Sequence, residues 1–284
     1  MSSPPDLSGK IILITGGTSG LGERTALELA QMHAQVVIVG RNEEKTKRVV
    51  DELRKQSGNE RVEYLLADLS SMASVRKLAT DFAAKYPRLD VLVNNAGAIN
   101  MSRETTVDGF ERTFATNHLA YFLLATSLHG SLAAAPAARV VNVSSDAHRT
   151  GRINFDDLMA ERRYVAWLQY GRSKLANIYF TRELARRFAK DGITVNALHP
   201  GFVASEFLSK GGLWKLLKPV AYLFAVDVPG GARSSVYLAS SPEVAGVTGE
   251  YFYKCKPKKL SAFAEDDEAA ARLWDLSEKL VASA

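Results

Sequence analysis

"ILITGGTSGLGERTALELA" (residues 12–30) joins an apolar β-branched run, a glycine-rich turn and an amphipathic segment with no linker between them. The first part reads as a strand and residues from about 20 to 32 as a helix. Gly16, Gly20 and Gly22 have the spacing G-x-x-x-G-x-G. Glycine lets the backbone bend tightly and approach a pyrophosphate, and the free N–H groups at the start of the following helix favour its negative charge. Strand, turn and helix in this order predict a dinucleotide site.

Outward from this unit the chain keeps alternating. Strands are expected at 10–15, 35–40, 61–67, 89–95, 138–145, 192–199 and 246–253, all but the last nearly continuous apolar runs, as strands buried on both faces should be. Helices are expected at about 20–32, 42–57, 71–86, 108–132, 168–190, 229–240 and 265–282. The pattern predicts one doubly wound α/β Rossmann-type domain over 1–284, with a seven-stranded parallel sheet and helices on both faces. The stretch 202–228 interrupts the rhythm with Phe202, Phe207 and Trp214 among other apolar residues, and reads as a small helical lid over a substrate.

The 284 residues are 46% hydrophobic and 24% charged, enough for a sizeable core. Cys255 is the only cysteine, which excludes a disulfide framework, and the five histidines are too dispersed for a metal site. The start, "MSSPPDLSGK", lacks the apolar core of a signal peptide, and no apolar run approaches about 18 residues. A soluble cytoplasmic protein without an integral membrane anchor is expected. The net charge of +5 is mostly scattered, and its dense cluster, "KCKPKK" (254–259), reads as a solvated loop, so no nucleic-acid partner is expected. A homo-oligomer is compatible with the composition.

An NAD site usually places an acid at the end of the second strand, on the adenosine ribose. Here the strand ends "VVIVGRN", with Arg41 and Asn42 and no acid. A guanidinium matches a 2′-phosphate in shape and charge. Arg41, helped by Thr18, Ser19 or Lys45, therefore predicts NADP(H). In "QYGRSKLAN" (169–177), Tyr170 and Lys174 are four apart on a helix, so they share one face, about 6 Å apart along the axis.

With "TGGTSGLG" (15–22), "NNAG" (94–97), "TNHLAYF" (116–122), "VVNVSS" (140–145), "YGRSK" (170–174) and "HPG" (199–201) in this order, the chain resembles the short-chain dehydrogenase/reductase superfamily from about residue 8 to 255. The stretches "NHLAYFLL", "RVVNVSSDAHRTG", "YGRSKLANIYFTRELARR" and "GEYFYKCK" resemble its retinol-dehydrogenase-like branch. The resemblance implies that Tyr170 exchanges a proton with the substrate oxygen while hydride passes between nicotinamide and carbinol carbon. An unperturbed phenol, with a pKa near 10, needs help to act as a base. The Lys174 ammonium and the positive nicotinamide ring are expected to favour the phenolate, and Lys174 also to bind the nicotinamide ribose.

The same resemblance makes Ser145, rather than Ser144, the substrate-orienting hydroxyl. It makes Asn117 the helix-kinking asparagine that links Lys174 to solvent. Gly16, Thr18, Ser19, Gly20, Leu21 and Gly22 would hold the pyrophosphate, and Arg41 with Asn42 the 2′-phosphate end. Asp68 and Leu69 would border the adenine, Asn95, Ala96 and Gly97 would run beneath the ribose, and Pro200, Gly201, Val203 and Ser205 would line the carboxamide side.

The 24 residues between Ser145 and Tyr170 include Trp167 and are expected to face the lid as a second apolar wall. His148 is expected to be a pocket or loop histidine rather than a base. No amino-terminal membrane segment like that of many animal retinol dehydrogenases is expected from "MSSPPDLSGK", a reading that weighs against membrane association. These readings predict an NADP(H)-dependent reductase of an apolar aldehyde or ketone, or oxidation of its alcohol, with reduction the working direction. The alternative is a catalytically silent NADP(H)-sensing regulator of the same fold. Such proteins typically lose the tyrosine or the lysine, and both are present here.

Overall fold

A computed structural model describes residues 4–201 and 227–284. In chain order it runs β1 (Ile11–Thr15), α1 (Gly20–Gln31), β2 (Gln35–Gly40), α2 (Glu43–Ser57), β3 (Val62–Leu66), α3 (Met72–Lys85) and β4 (Val91–Asn94). A single helical turn, α4 (Arg112–Phe114), then passes through a π-helical turn (Ala115–Leu119) into α5 (Ala120–Ser127) and α6 (His129–Ala133). After these come β5 (Arg139–Val143), a 3₁₀ turn (Asp146–Arg149), α7 (Ala166–Phe188), β6 (Thr194–His199), α8 (Val228–Ser240), β7 (Tyr251–Tyr253), β8 (Lys256–Pro257) and α9 (Asp267–Ala282).

The sheet order is β3-β2-β1-β4-β5-β6-β7-β8. Every pairing is parallel except the last, where β8 folds back on β7. The sheet thus has eight strands rather than seven, and "KCKPKK" contributes a hairpin rather than a loop. Gly246 and Gly249 take positive φ, 77° and 81°, so the expected 246–253 strand shortens to its last three residues.

Alternate β1 side chains feed two cores, as a strand buried on both faces requires. Ile11 and Leu13 join the layer carrying α3, α5, α7 and α9. Ile12 and Ile14 join the layer carrying α1, α2 and α8. Full burial of each such side chain contributes about 1.5–3 kcal/mol, so β1 ties the two layers together. Asn42 caps α2 by accepting from Lys45 N–H at 2.8 Å, and Gly58 ends it in the left-handed conformation.

The expected 108–132 helix is broken. Its π-helical turn puts Asn117 where the side-chain amide grips a neighbouring loop, accepting from Ala98 N–H at 2.8 Å and donating to Ala98 O at 2.9 Å. Such turns insert one residue into the helical ladder and mark functional positions. Phe202, Val203, Ser205, Phe207 and Trp214, with the lid reading of 202–228 up to residue 226, lie outside the described residues. Among the described residues no helix is long and apolar enough to cross a membrane.

Candidate active site

The carboxyl ends of the parallel strands carry nearly every described candidate. Strand order reverses between β1 and β4, so the loops leaving these two strands diverge and open a crevice, the usual ligand position in such sheets. Thr15, at the end of β1, stitches this point together. Its Oγ1 accepts from the N–H groups of Asn95 (2.9 Å) and Ala96 (3.1 Å), while Asn95 Nδ2 donates back to Thr15 O at 2.9 Å.

The glycine loop suits a dinucleotide. Gly16 has φ +65°, and a Cβ there would come within 2.9 Å of Ala96 Cα; a Cβ on Gly22 would lie 2.3 Å from Gly16 O. The loop therefore stays free of side chains where it meets β4. Ser19 makes no side-chain capping bond to α1, which leaves the first-turn N–H groups, in the Gly20–Leu21–Gly22 stretch, to favour a phosphate. Thr18 packs its methyl beside Gly40 at the end of β2. Arg41 is exposed there and Asn42 turns the chain into α2.

Asp68 and Leu69 follow β3. Burial raises the Asp68 pKa, but the hydrogen bonds from Ser70 and the charges of Arg41 and Arg112 outweigh it and hold the carboxyl below its ordinary value. Asp68 accepts from Ser70 N–H and Oγ–H at 2.9 and 2.8 Å. It braces its own loop and leaves Arg41 as the exposed charge. Pro200 and Gly201 follow β6, with Gly201 at φ 91°.

Ser145, Tyr170 and Lys174 come together where β5 ends against α7. Ser145 caps the 3₁₀ turn: its Oγ accepts from Ala147 N–H at 3.1 Å. The hydroxyl proton is then available to the neighbouring Tyr170 phenol, with which Ser145 is hydrogen-bonded. Ser144, by contrast, donates to Lys174 O at 2.7 Å and is buried. Lys174 is 3% exposed; its Nζ donates to Val143 O at 2.9 Å and lies 5.6 Å from the Tyr170 ring centre. Asn117 Nδ2 donates to Ser173 Oγ at 2.9 Å, joining the π-helical turn to α7 beside Lys174.

Burial dominates the electrostatics of this pair. Burial pushes Tyr170 up to about 12, with the Ser145 hydrogen bond acting against it. Burial lowers Lys174 to about 7. At neutral pH the phenol therefore holds its proton and Lys174 can take up or release one. Such an arrangement can donate a proton to an oxygen brought between Ser145 and Tyr170.

Trp167 is 49% exposed and lies 5.7 Å from Tyr170, ring centre to ring centre. His148 is fully buried, donating from Nδ1 to Ser145 O at 2.7 Å, and so shapes the turn. Two participants escaped the sequence reading. Tyr121 donates to Ala96 O at 2.7 Å and places its ring 5.9 Å from Lys174 Nζ; its spacing of four from Asn117 was the available signal. Asp146, next to Ser145, gathers partners from β6, β7 and the residue just past β8, which no sequence spacing reveals.

The family model described as short chain dehydrogenase matches residues 10–215. Retinol dehydrogenase 14 of Homo sapiens is 42% identical, over 98% of this chain and 88% of its own length. An uncharacterized protein of Mycobacterium Paratuberculosis, solved as a crystal structure, is 35% identical with a TM-score of 0.80, over 98% of this chain and 96% of that one. The Pseudomonas aeruginosa RhlG/NADP active-site complex is 28% identical with a TM-score of 0.71, over 89% of this chain and 97% of that one.

Proposed function

The chain is an oxidoreductase that belongs to the short-chain dehydrogenase family, on its retinol-dehydrogenase-like branch, and from that premise we propose that it reduces an apolar aldehyde or ketone with NADPH. The observation that carries the reading is the meeting of Ser145, Tyr170 and Lys174 at the carboxyl edge of the sheet, beside the side-chain-free loop.

The Gly16–Gly22 loop and Arg41 would hold NADPH, which would supply a hydride to the carbonyl carbon. Ser145 Oγ, held by Ala147 N–H, directs its hydroxyl at the carbonyl oxygen and so orients the substrate. Tyr170 gives its phenolic proton to that oxygen as negative charge develops there. A proton must then return to Tyr170, and Lys174 Nζ, titrating near neutrality, is the buried group suited to supply it. Asn117 fixes the backbone around Lys174 through Ala98 and Ser173.

Arg41 supports NADP(H) over NAD(H), since β2 ends without an acid of its own and the exposed guanidinium, with Asp68 just past β3 already bound to Ser70, suits a 2′-phosphate. The RhlG relative is itself an NADP complex. Val203 and Ser205 are proposed as cofactor contacts on the resemblance, and Phe202, Phe207 and Trp214 as substrate contacts on the apolar sequence of 202–228. The test follows NADPH and NADH consumption with purified protein and a panel of medium-chain and aromatic aldehydes. NADPH oxidation well above that with NADH is expected; no consumption with any aldehyde or ketone sinks the reading.

A further inference from the structure

Asp146 stands between two parts of the site that the chain delivers separately. Its backbone N–H donates to His199 Nδ1 at 3.3 Å, and its carboxylate Oδ2 lies 3.5 Å from His199 Nε2. With Nδ1 accepting, a neutral ring carries its proton on Nε2, on the Oδ2 side, so one tautomer serves both contacts. Burial lowers His199 to about 4, with Asp146 acting against it, which keeps the ring neutral at pH 7. Oδ2 also accepts from Lys258 Nζ at 2.5 Å and Oδ1 from Tyr251 OH at 3.1 Å. The Tyr253 ring stacks on His199 at 5.1 Å, and Lys258 Nζ lies 4.8 Å above Tyr253.

We propose that Asp146, His199 and Lys258 form a positioning clamp that sets the Ser145 hydroxyl relative to the Pro200–Gly201 wall of the nucleotide site. Ser145 precedes Asp146 and Pro200 follows His199, so each covalent neighbour of the clamp is a candidate contact, one for substrate and one for cofactor. Lys258 sits just past β8, and its N–H donates to Tyr251 O at 2.7 Å. The antiparallel hairpin that ends the sheet thus becomes part of the alignment. The three residues hold other groups in place and touch neither reactant. The clamp rests on the functional reading above, and its test includes a measurement independent of turnover.

The full chain is compared with Lys258→Met, Lys258→Arg and Asp146→Asn, with Lys77→Met on exposed α3 as a control for losing a surface ion pair. NADPH affinity is titrated by nucleotide fluorescence, and kcat and KM are measured with decanal well below each variant's Tm. Lys258→Met and Asp146→Asn are expected to weaken NADPH binding at least fivefold and lower kcat at least tenfold. Lys258→Arg should return both to within threefold, and Lys77→Met should change neither.

Unchanged NADPH affinity and kcat in Lys258→Met would overturn the clamp, as would a loss that arginine does not rescue. If Lys258→Met does not fold, Asp146→Asn decides by the same thresholds, because asparagine keeps its amide oxygen as an acceptor for Tyr251 while an NH2 donor replaces the charged acceptor facing Lys258 and His199. If the parent chain reduces no carbonyl, the functional reading fails, and the NADPH titrations still decide the clamp.

Discussion

Gly171 and Ala147 meet with no space for a side chain between them. A Cβ at residue 171 would lie 2.7 Å from Ala147 O and 2.9 Å from Thr150 Oγ1. Gly171 follows Tyr170, and Ala147 N–H holds Ser145 Oγ. This contact therefore sets the distance between the two hydroxyls. Gly171→Ala should gain up to about 1 kcal/mol of helix propensity and lose about 1–3 kcal/mol to overpacking against a backbone that cannot swing aside. Stability should thus fall by no more than about 3 kcal/mol. We expect kcat to fall more than tenfold; a variant with unchanged kcat would show that the spacing does not matter.

Tyr170→Phe keeps the ring beside Trp167 and removes the transferable proton. NADPH affinity should stay within about threefold, by the tolerance of volume-conserving changes. Carbonyl reduction should nearly vanish. Wild-type turnover with any good substrate would remove Tyr170 from the chemistry.

Arg41→Asp exchanges the exposed cation at the end of β2 for an anion. Loss of a charge-assisted hydrogen bond and gain of a like-charge contact together amount to a few kcal/mol against NADPH. Comparing kcat/KM for NADPH and NADH should show the preference narrowing by about two orders of magnitude, as each 1.4 kcal/mol is tenfold. An unchanged ratio would move the 2′-phosphate elsewhere.

Lys174 makes stability depend on pH. Its pKa falls from 10.5 to about 7 on burial, so between these values the unfolded chain holds a proton that the folded chain has released. Stability rises with pH across this window and is lost again as pH falls toward 7. Tyr170, raised from 10.0 to about 12, acts oppositely above pH 10. In nucleotide-free protein, Lys174→Met should be the more stable form at pH 7, with the gap closing by pH 10. Parallel denaturation curves at both pH values would refute the shift.

Apolar burial should select the substrate, because the reacting oxygen needs only Ser145 and Tyr170. Each buried methylene contributes up to about 0.8 kcal/mol, so kcat/KM should climb about tenfold for two added carbons along a series of straight-chain aldehydes. Trp167→Ala should flatten that slope. A preference for small charged carbonyls would place Trp167 outside the pocket.

The parallel layers were legible because burial on both faces writes itself as continuous apolar runs, as in "IILIT" and "QVVIVG". The meeting of Tyr170 with Lys174 was legible because one helix carries both. The kink at Asn117 was legible only through the resemblance: "ATNHL" is ordinary helix by composition, and the π-helical turn goes with the grip of Asn117 on Ala98, nineteen positions away. Strand β8 was hidden by its length of two residues and by lysines that read as solvated. Apart from Arg149, three residues on, the partners of Asp146 lie 53 to 112 positions along the chain, so only the closed sheet brings them together. The effect of burial on Tyr170 and Lys174 was equally invisible, since spacing reports proximity and not dielectric.

The hairpin at the end of the sheet also bears on how copies of this chain can meet. Lys256 and Pro257 are both exposed, and proline has no N–H to offer. A second molecule seeking to continue the hydrogen-bond ladder finds only two residues, one charged and one unable to donate. Growth of a continuous intermolecular sheet is blocked on this side, so crowded protein meeting along this edge should remain dispersed rather than fibrous.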